Sequence, residues 1–167
     1  MEFDKYPVRI VYLSNLLSFL IYALGIVIIQ RIGWTYAGLF IAYIILLEIR
    51  LLKFHCPNCY YYGKVCAFGK GIISSLFFKK GEPLKFSCKK FTYKDLIPDI
   101  LVFIIPAISA IVLLILKFDW IILLAFGVLI LLNFSGNAYV RGQLACKHCK
   151  QKELGCPALT FFNPVDR

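Results

Sequence analysis

The sequence predicts an all-α membrane protein: four transmembrane helices as two tandem hairpin repeats, each followed by a cytosolic cysteine-rich C-x2-C-x6-C loop. Three observations predict it. The 167 residues are 60% hydrophobic, with a mean hydropathy of +0.78. The apolar residues come in long blocks, which suits lipid as the solvent. One cysteine pattern occurs twice at identical spacing.

A bilayer core of about 30 Å takes about 20 apolar residues at 1.5 Å rise each. Four segments meet that length: Ile10–Ile29, Trp34–Leu52, Ile97–Leu116, and Trp120 to about Phe134. The last is short, and Ser135 to Tyr139 extends it as a small-residue, partly polar end. The stretch before the first segment, Met1–Tyr6, is polar and mixed in charge. The apolar run after it is too long for the core of a cleavable leader, so the first helix is expected to stay.

Two tight connections, Gln30–Gly33 and Lys117–Asp119, make each pair of segments an antiparallel hairpin. Trp34 and Trp120 follow these turns at the level where aromatic side chains anchor to headgroups. Of 19 Lys and Arg, only Arg31 and Lys117 lie in the tight turns. The rest fall at the N-terminus, around the central loop, or in the C-terminal tail. Positive residues favour the cytosolic side, so both termini and the central loop are expected there. The net charge of +10 then reads as topology and as attraction to anionic headgroups. No groove-reading or base-stacking module accompanies it, so a nucleic-acid partner is not expected.

These elements divide the chain into a first transmembrane hairpin (1–54), a cysteine-rich and interfacial loop (55–95), a second hairpin (96–140) and a cysteine-rich tail (141–167). Within the loop, Gly71 to Lys80 is apolar and ends in a basic pair. That pattern fits a short interfacial helix, or equally a loop packed on the cysteines.

The cysteines carry the chemistry. Cys56, Cys59 and Cys66 match Cys146, Cys149 and Cys156 in spacing, and Cys88 stands alone. An Arg precedes each triplet (Arg50, Arg141) and a Pro precedes each hairpin (Pro7, Pro98). Two copies entering from one side are related by an axis along the membrane normal, which gathers both triplets at one surface. Cysteines three apart on a tight turn aim two sulfurs at one centre, as four-thiolate sites require. In a reducing compartment such spacing points to metal ligands or redox thiols before structural disulfides. All seven cysteines are therefore candidate ligands for an iron–sulfur cluster or Zn.

Three arrangements satisfy the spacing: a centre in each repeat, one four-thiolate site closed by both C-x2-C turns, or one multinuclear centre. His148 is a weaker ligand candidate, since a ring inside its own C-x2-C turn tends to point outward, and His55, just before the first turn, ranks with it. Lys53, Lys64, Lys147, Lys150 and Lys152 are expected to lower nearby thiol pKa values.

Other signals give less. Gly63 to Gly71 departs from a phosphate loop in spacing and lacks its Ser or Thr. Glu48 reads as a structural ion pair beside Arg50 and Lys53, and Asp99 as a helix-start charge. Asn15, Ser14, Ser18, Asn133 and Asn137 suit hydrogen bonding between helices. No hydrolytic constellation is visible, and whether the chain is an enzyme stays open. The functional expectation is a membrane metalloprotein, in electron transfer if its centres are iron–sulfur, with a membrane redox partner or a soluble carrier. The rivals are a membrane thiol–disulfide oxidoreductase, a soft-metal handling or transport protein, and a zinc-stapled assembly protein. Oligomeric state is not fixed by the sequence.

Overall fold

The computed structural model describes residues 2–82 and 93–153, with only the backbone of 93–96. The order is α1 (Val8–Gln30), α2 (Trp34–Phe54), a 3-10 turn at Cys56–Asn58, α3 (Lys70–Phe77), α4 (Tyr93–Leu116) and α5 (Trp120–Leu131). Beyond α5 the helix continues through π-helical turns at Leu132–Gly136 and Ala138–Ala145 into 3-10 turns at Cys146–His148 and Lys150–Lys152. Among the described residues no strand forms; one isolated bridge joins Phe3 and Cys149.

Three helices are long and apolar enough to cross a membrane: Val8–Gln30, Ile97–Leu116 and Trp120–His148. The fourth expected segment does fold as one helix, α2, but Glu48, Arg50 and Lys53 fall in its last turns. Large apolar side chains lie exposed along these helices, among them Phe19, Leu46, Ile115 and Leu124. Surface of that kind is stable against lipid and costly against water.

Helix limits differ from the sequence expectation at two places. α4 begins at Tyr93, so Asp99 lies past the first turn and not at the helix start. The last span runs on to His148, directly into the second C-x2-C turn, because Leu132–Gly136 and Ala138–Ala145 stay helical in the wider π form. Local π geometry often accompanies functional sites.

Contacts divide the chain into two compact units. One comprises Leu16–Leu47 and Tyr93–Asn137. Its core holds Ile29, Phe40 and Ile44, with Tyr22, Ile26, Tyr43 and Val102 packed against them. Gly25 permits the close approach there: a Cβ would stand 3.0 Å from the Phe40 ring and 3.1 Å from Pro106. Small residues at such contacts are the usual means of helix packing in lipid. The Tyr43 hydroxyl donates to the Pro98 carbonyl at 2.7 Å. At the α4–α5 turn, Asp119 caps α5 by accepting from Ile121 N at 2.8 Å, which satisfies one orphan helix N–H.

The second unit comprises Met1–Asn15, Glu48–Thr92 and Ala138–Arg167. Tyr6, Tyr61, Ala67 and Ala145 form its core, against which Phe3, Cys59, Cys66, Phe68 and Cys149 pack. α3 buries Gly71 and Ser74 and leaves Leu76 and Phe77 exposed. The segment Gly71 to Lys80 is thus a helix up to Phe77, anchored by Ser74 Oγ donating to the Leu52 carbonyl at 3.0 Å.

Candidate functional site in the cysteine unit

Both C-x2-C segments adopt the same local backbone. Cys56–Asn58 forms a 3-10 turn in which Cys59 N donates to the Cys56 carbonyl at 3.2 Å. Pro57 occupies a first-turn position, where its missing N–H costs nothing. Cys146–His148 forms the matching turn, and Cys149 N donates to the Cys146 carbonyl at 3.2 Å. The correspondence continues, with Tyr62 N donating to Cys59 O and Lys152 N to Cys149 O, both at 3.0 Å.

The two turns are bonded to each other. Tyr60 N donates to Gln151 Oε1 at 2.7 Å, and Lys150 N donates to the Tyr61 hydroxyl at 3.1 Å. Tyr61 and Gln151 are almost fully buried, at 1% and 2% exposure. Because Oε1 accepts from Tyr60, the orientation of the Gln151 amide is fixed. Its Nε2 is then a buried donor with no partner among the described residues. An unmet donor of that kind costs about 1–3 kcal/mol.

The N-terminal segment laces across both turns. Phe3 N donates to the His148 carbonyl, and Tyr6 N to the Val65 carbonyl, each at 3.1 Å. The Tyr6 hydroxyl donates to Ala145 O and the Tyr61 hydroxyl to Phe3 O, both at 2.6 Å. Lys150 Nζ lies 2.5 Å from Asp4 Oδ1, which also accepts from the Tyr60 hydroxyl at 3.0 Å. These bonds hold the Asp4 carboxyl below its ordinary range, the Lys150 contact first and the Tyr60 contact second.

Around the first triplet, glycine does specific work. Gly63 takes a left-handed φ of 71° and bonds to Gly71 O at 3.0 Å, turning the chain back toward Cys66. A Cβ on Gly71 would run into the carbonyl oxygens of Tyr61 and Lys64, so only glycine fits there.

Five of the seven sequence candidates, Cys56, Cys59, Cys66, Cys146 and Cys149, are half-buried residues of this one unit. Cys88 and Cys156 lie outside the described residues. Among the described residues, no group of three or more His, Cys, Asp or Glu is placed to hold a metal ion. The donors are of the soft type that thiophilic metals prefer, but those residues bring at most two to any one point. The His148 ring packs tilted against Phe3, centroids 5.0 Å apart and planes at 40°.

The expected lowering of thiol pKa values does not occur at the two thiols where a shift is resolved. Burial pushes the Cys56 thiol up to about 11, and neighbouring Cys66 adds to the rise. Burial pushes Cys59 up to about 12, with Cys149, Cys66 and Cys56 raising it further. Two of the five lysines face the same aromatic ring: Lys64 and Lys150 both approach the face of Tyr60, at 4.3 and 5.9 Å from its centroid. Glu48 forms an ion pair with Lys70 of α3, a partner distant in sequence. Asn15 reaches the Phe68 carbonyl at 3.3 Å, a loop and not another helix. Asn137 bonds back to Asn133 O of its own helix at 2.9 Å.

Phe3, Tyr6 and Gln151 are the site residues that sequence reasoning missed. Gln151 had one readable signal: it stands where Tyr61 stands when the two C-x2-C motifs are aligned.

Comparison with known proteins adds no relative. No protein-family model matches the chain. No curated protein and no solved structure matches it either.

Proposed function

We propose that the protein is an integral membrane metalloprotein whose two cysteine motifs together bind zinc or an iron–sulfur cluster on the cytosolic side. The observation that carries this reading is the reciprocal pair of hydrogen bonds joining the two C-x2-C turns. Nothing in a lipid-bound chain requires two cysteine turns to be locked side by side, whereas a thiolate centre does. The half-buried thiols of Cys56 and Cys59, their pKa values raised by desolvation, support the same reading. A pKa near 11 or 12 makes a poor nucleophile for disulfide exchange, while a metal displaces the proton on binding.

In this reading α2 is the fourth span, the spans pair as α1–α2 and α4–α5, and both termini face the cytosol. A four-thiolate centre then draws further donors from Cys88 or Cys156, and electron transfer follows if the centre is iron–sulfur. Anionic lipid headgroups meet the basic segments.

The test is metal content in cysteine variants purified without oxygen. Cys56→Ser and Cys146→Ser are each expected to lower bound metal. Unchanged metal in both variants removes the shared motif as the site.

A second reading draws on the limit of two donors at any one point. A thiol pair can cycle to a disulfide, making the protein a membrane thiol–disulfide oxidoreductase. Metal-free protein with a reversible disulfide supports that reading instead.

A further inference from the structure

Counting from each C-x2-C motif, Tyr60 is equivalent to Lys150 and Tyr61 to Gln151. The bonds between them are exchanged: the backbone N–H of each first residue meets the side-chain oxygen of the other motif's second residue. That is the signature of a two-fold relation, in which residue i meets j and j meets i. Cys59 and Cys149 each stand one residue before an exchanged N–H, so the same relation interchanges them. Both pack on the Tyr6, Tyr61, Ala67 and Ala145 core.

Among the described residues, a three-donor centre within the first motif does not form: Cys56, Cys59 and Cys66 are all described, and they do not close as a group.

We infer that Cys59 and Cys149 form one thiolate pair shared by the two motifs, the nucleus of a single centre for a thiophilic cation, with Tyr61 and Gln151 as its positioning residues. This rests on the metalloprotein reading and adds to it the number of centres and the pair at their heart. Tyr61 and Gln151 hold the two turns in register. Gln151 Nε2, without a partner among the described residues, is a further donor at the junction, of the kind that tunes sulfur ligands from outside the ligand set.

The experiment uses full-length protein in detergent, reduced and stripped of metal, with two probes. The first is dibromobimane, which bridges neighbouring thiols, applied to a Cys56→Ser/Cys146→Ser double variant and mapped by mass spectrometry. A Cys59–Cys149 bridge is expected; its absence overturns the pairing whatever the metal content. The second is Zn(II) alone. Cys59→Ser and Cys149→Ser are each expected to remove nearly all bound zinc, whereas loss of about half overturns the single centre. For positioning, Gln151→Leu is expected to weaken zinc affinity about tenfold. Gln151→Glu, which keeps the acceptor for Tyr60 N–H, is expected to recover most of it, and equal loss in both variants overturns that role. A bridge in protein that takes up neither zinc nor iron keeps the pairing and overturns the metalloprotein reading beneath it.

Discussion

Tyr61 and Gln151 occupy the same step after their respective C-x2-C motifs, and each accepts the backbone N–H that precedes the other. Two otherwise unrelated side chains, a phenol and an amide, thus do one job. Both are buried, so water cannot replace either bond.

Removing the Tyr61 hydroxyl is therefore expected to be costly. Tyr61→Phe leaves the Lys150 N–H and the Phe3 carbonyl unmet in a buried junction, at about 1–3 kcal/mol. Tyr62→Phe loses only the bond to Phe78 O and is expected to cost less. Thermal unfolding of the two variants in one detergent checks the order.

Gly71→Ala is expected to destabilise by about 1–3 kcal/mol, because the new methyl must displace backbone carbonyls that cannot swing aside. Gly142→Ala is the control: its Cβ meets nothing within 4 Å. That variant is expected to be neutral or slightly stabilised, since alanine is the better helix former.

The apoprotein is expected to lose stability in alkali. Burial raises the folded-state pKa of Cys56 to about 11 and of Cys59 to about 12, from an ordinary thiol value of 9.0. Below pH 9 both states keep these protons and the contribution is complete. From pH 9 the unfolded state sheds these protons while the folded state keeps them, so the contribution falls and is lost as pH rises through 11 and 12. Denaturant midpoints between pH 8 and 11 measure the fall, which Cys56→Ser/Cys59→Ser should flatten. Bound metal is expected to reverse the trend over neutral pH, because binding releases the thiol protons.

Single cysteines placed at Ile32 and Phe118 report the topology, in a background lacking the native seven. Both turns are expected to label with an impermeant maleimide from outside intact cells. Labelling of only one turn would remove α2 from the set of spans.

The long apolar helices were legible because lipid imposes a coarse rule: length and apolar composition suffice to find a helix. The segments Ile10–Ile29 and Ile97–Leu116 lie within α1 and α4. Limits were harder where charge or small residues interrupt the pattern, as at the start of α4 and beyond Phe134, since helix continuation there depends on local backbone bonds. The repeat of the cysteine motif was visible as spacing. Its wiring was not, because the bonds are made by backbone N–H groups and by Phe3 and Tyr6, whose sequence surroundings carry no motif. The thiol pKa values failed to follow the lysine count because burial outweighs neighbouring charge at Cys56 and Cys59, and proximity in sequence says nothing about burial.

The most direct test of the account is the amount of metal and acid-labile sulfide per chain in native protein purified without oxygen or chelator. The account predicts one zinc ion, or the iron and sulfide of one cluster, lost when either Cys59 or Cys149 becomes serine. Metal-free native protein, or two equivalent ions per chain of which one survives each substitution, contradicts it.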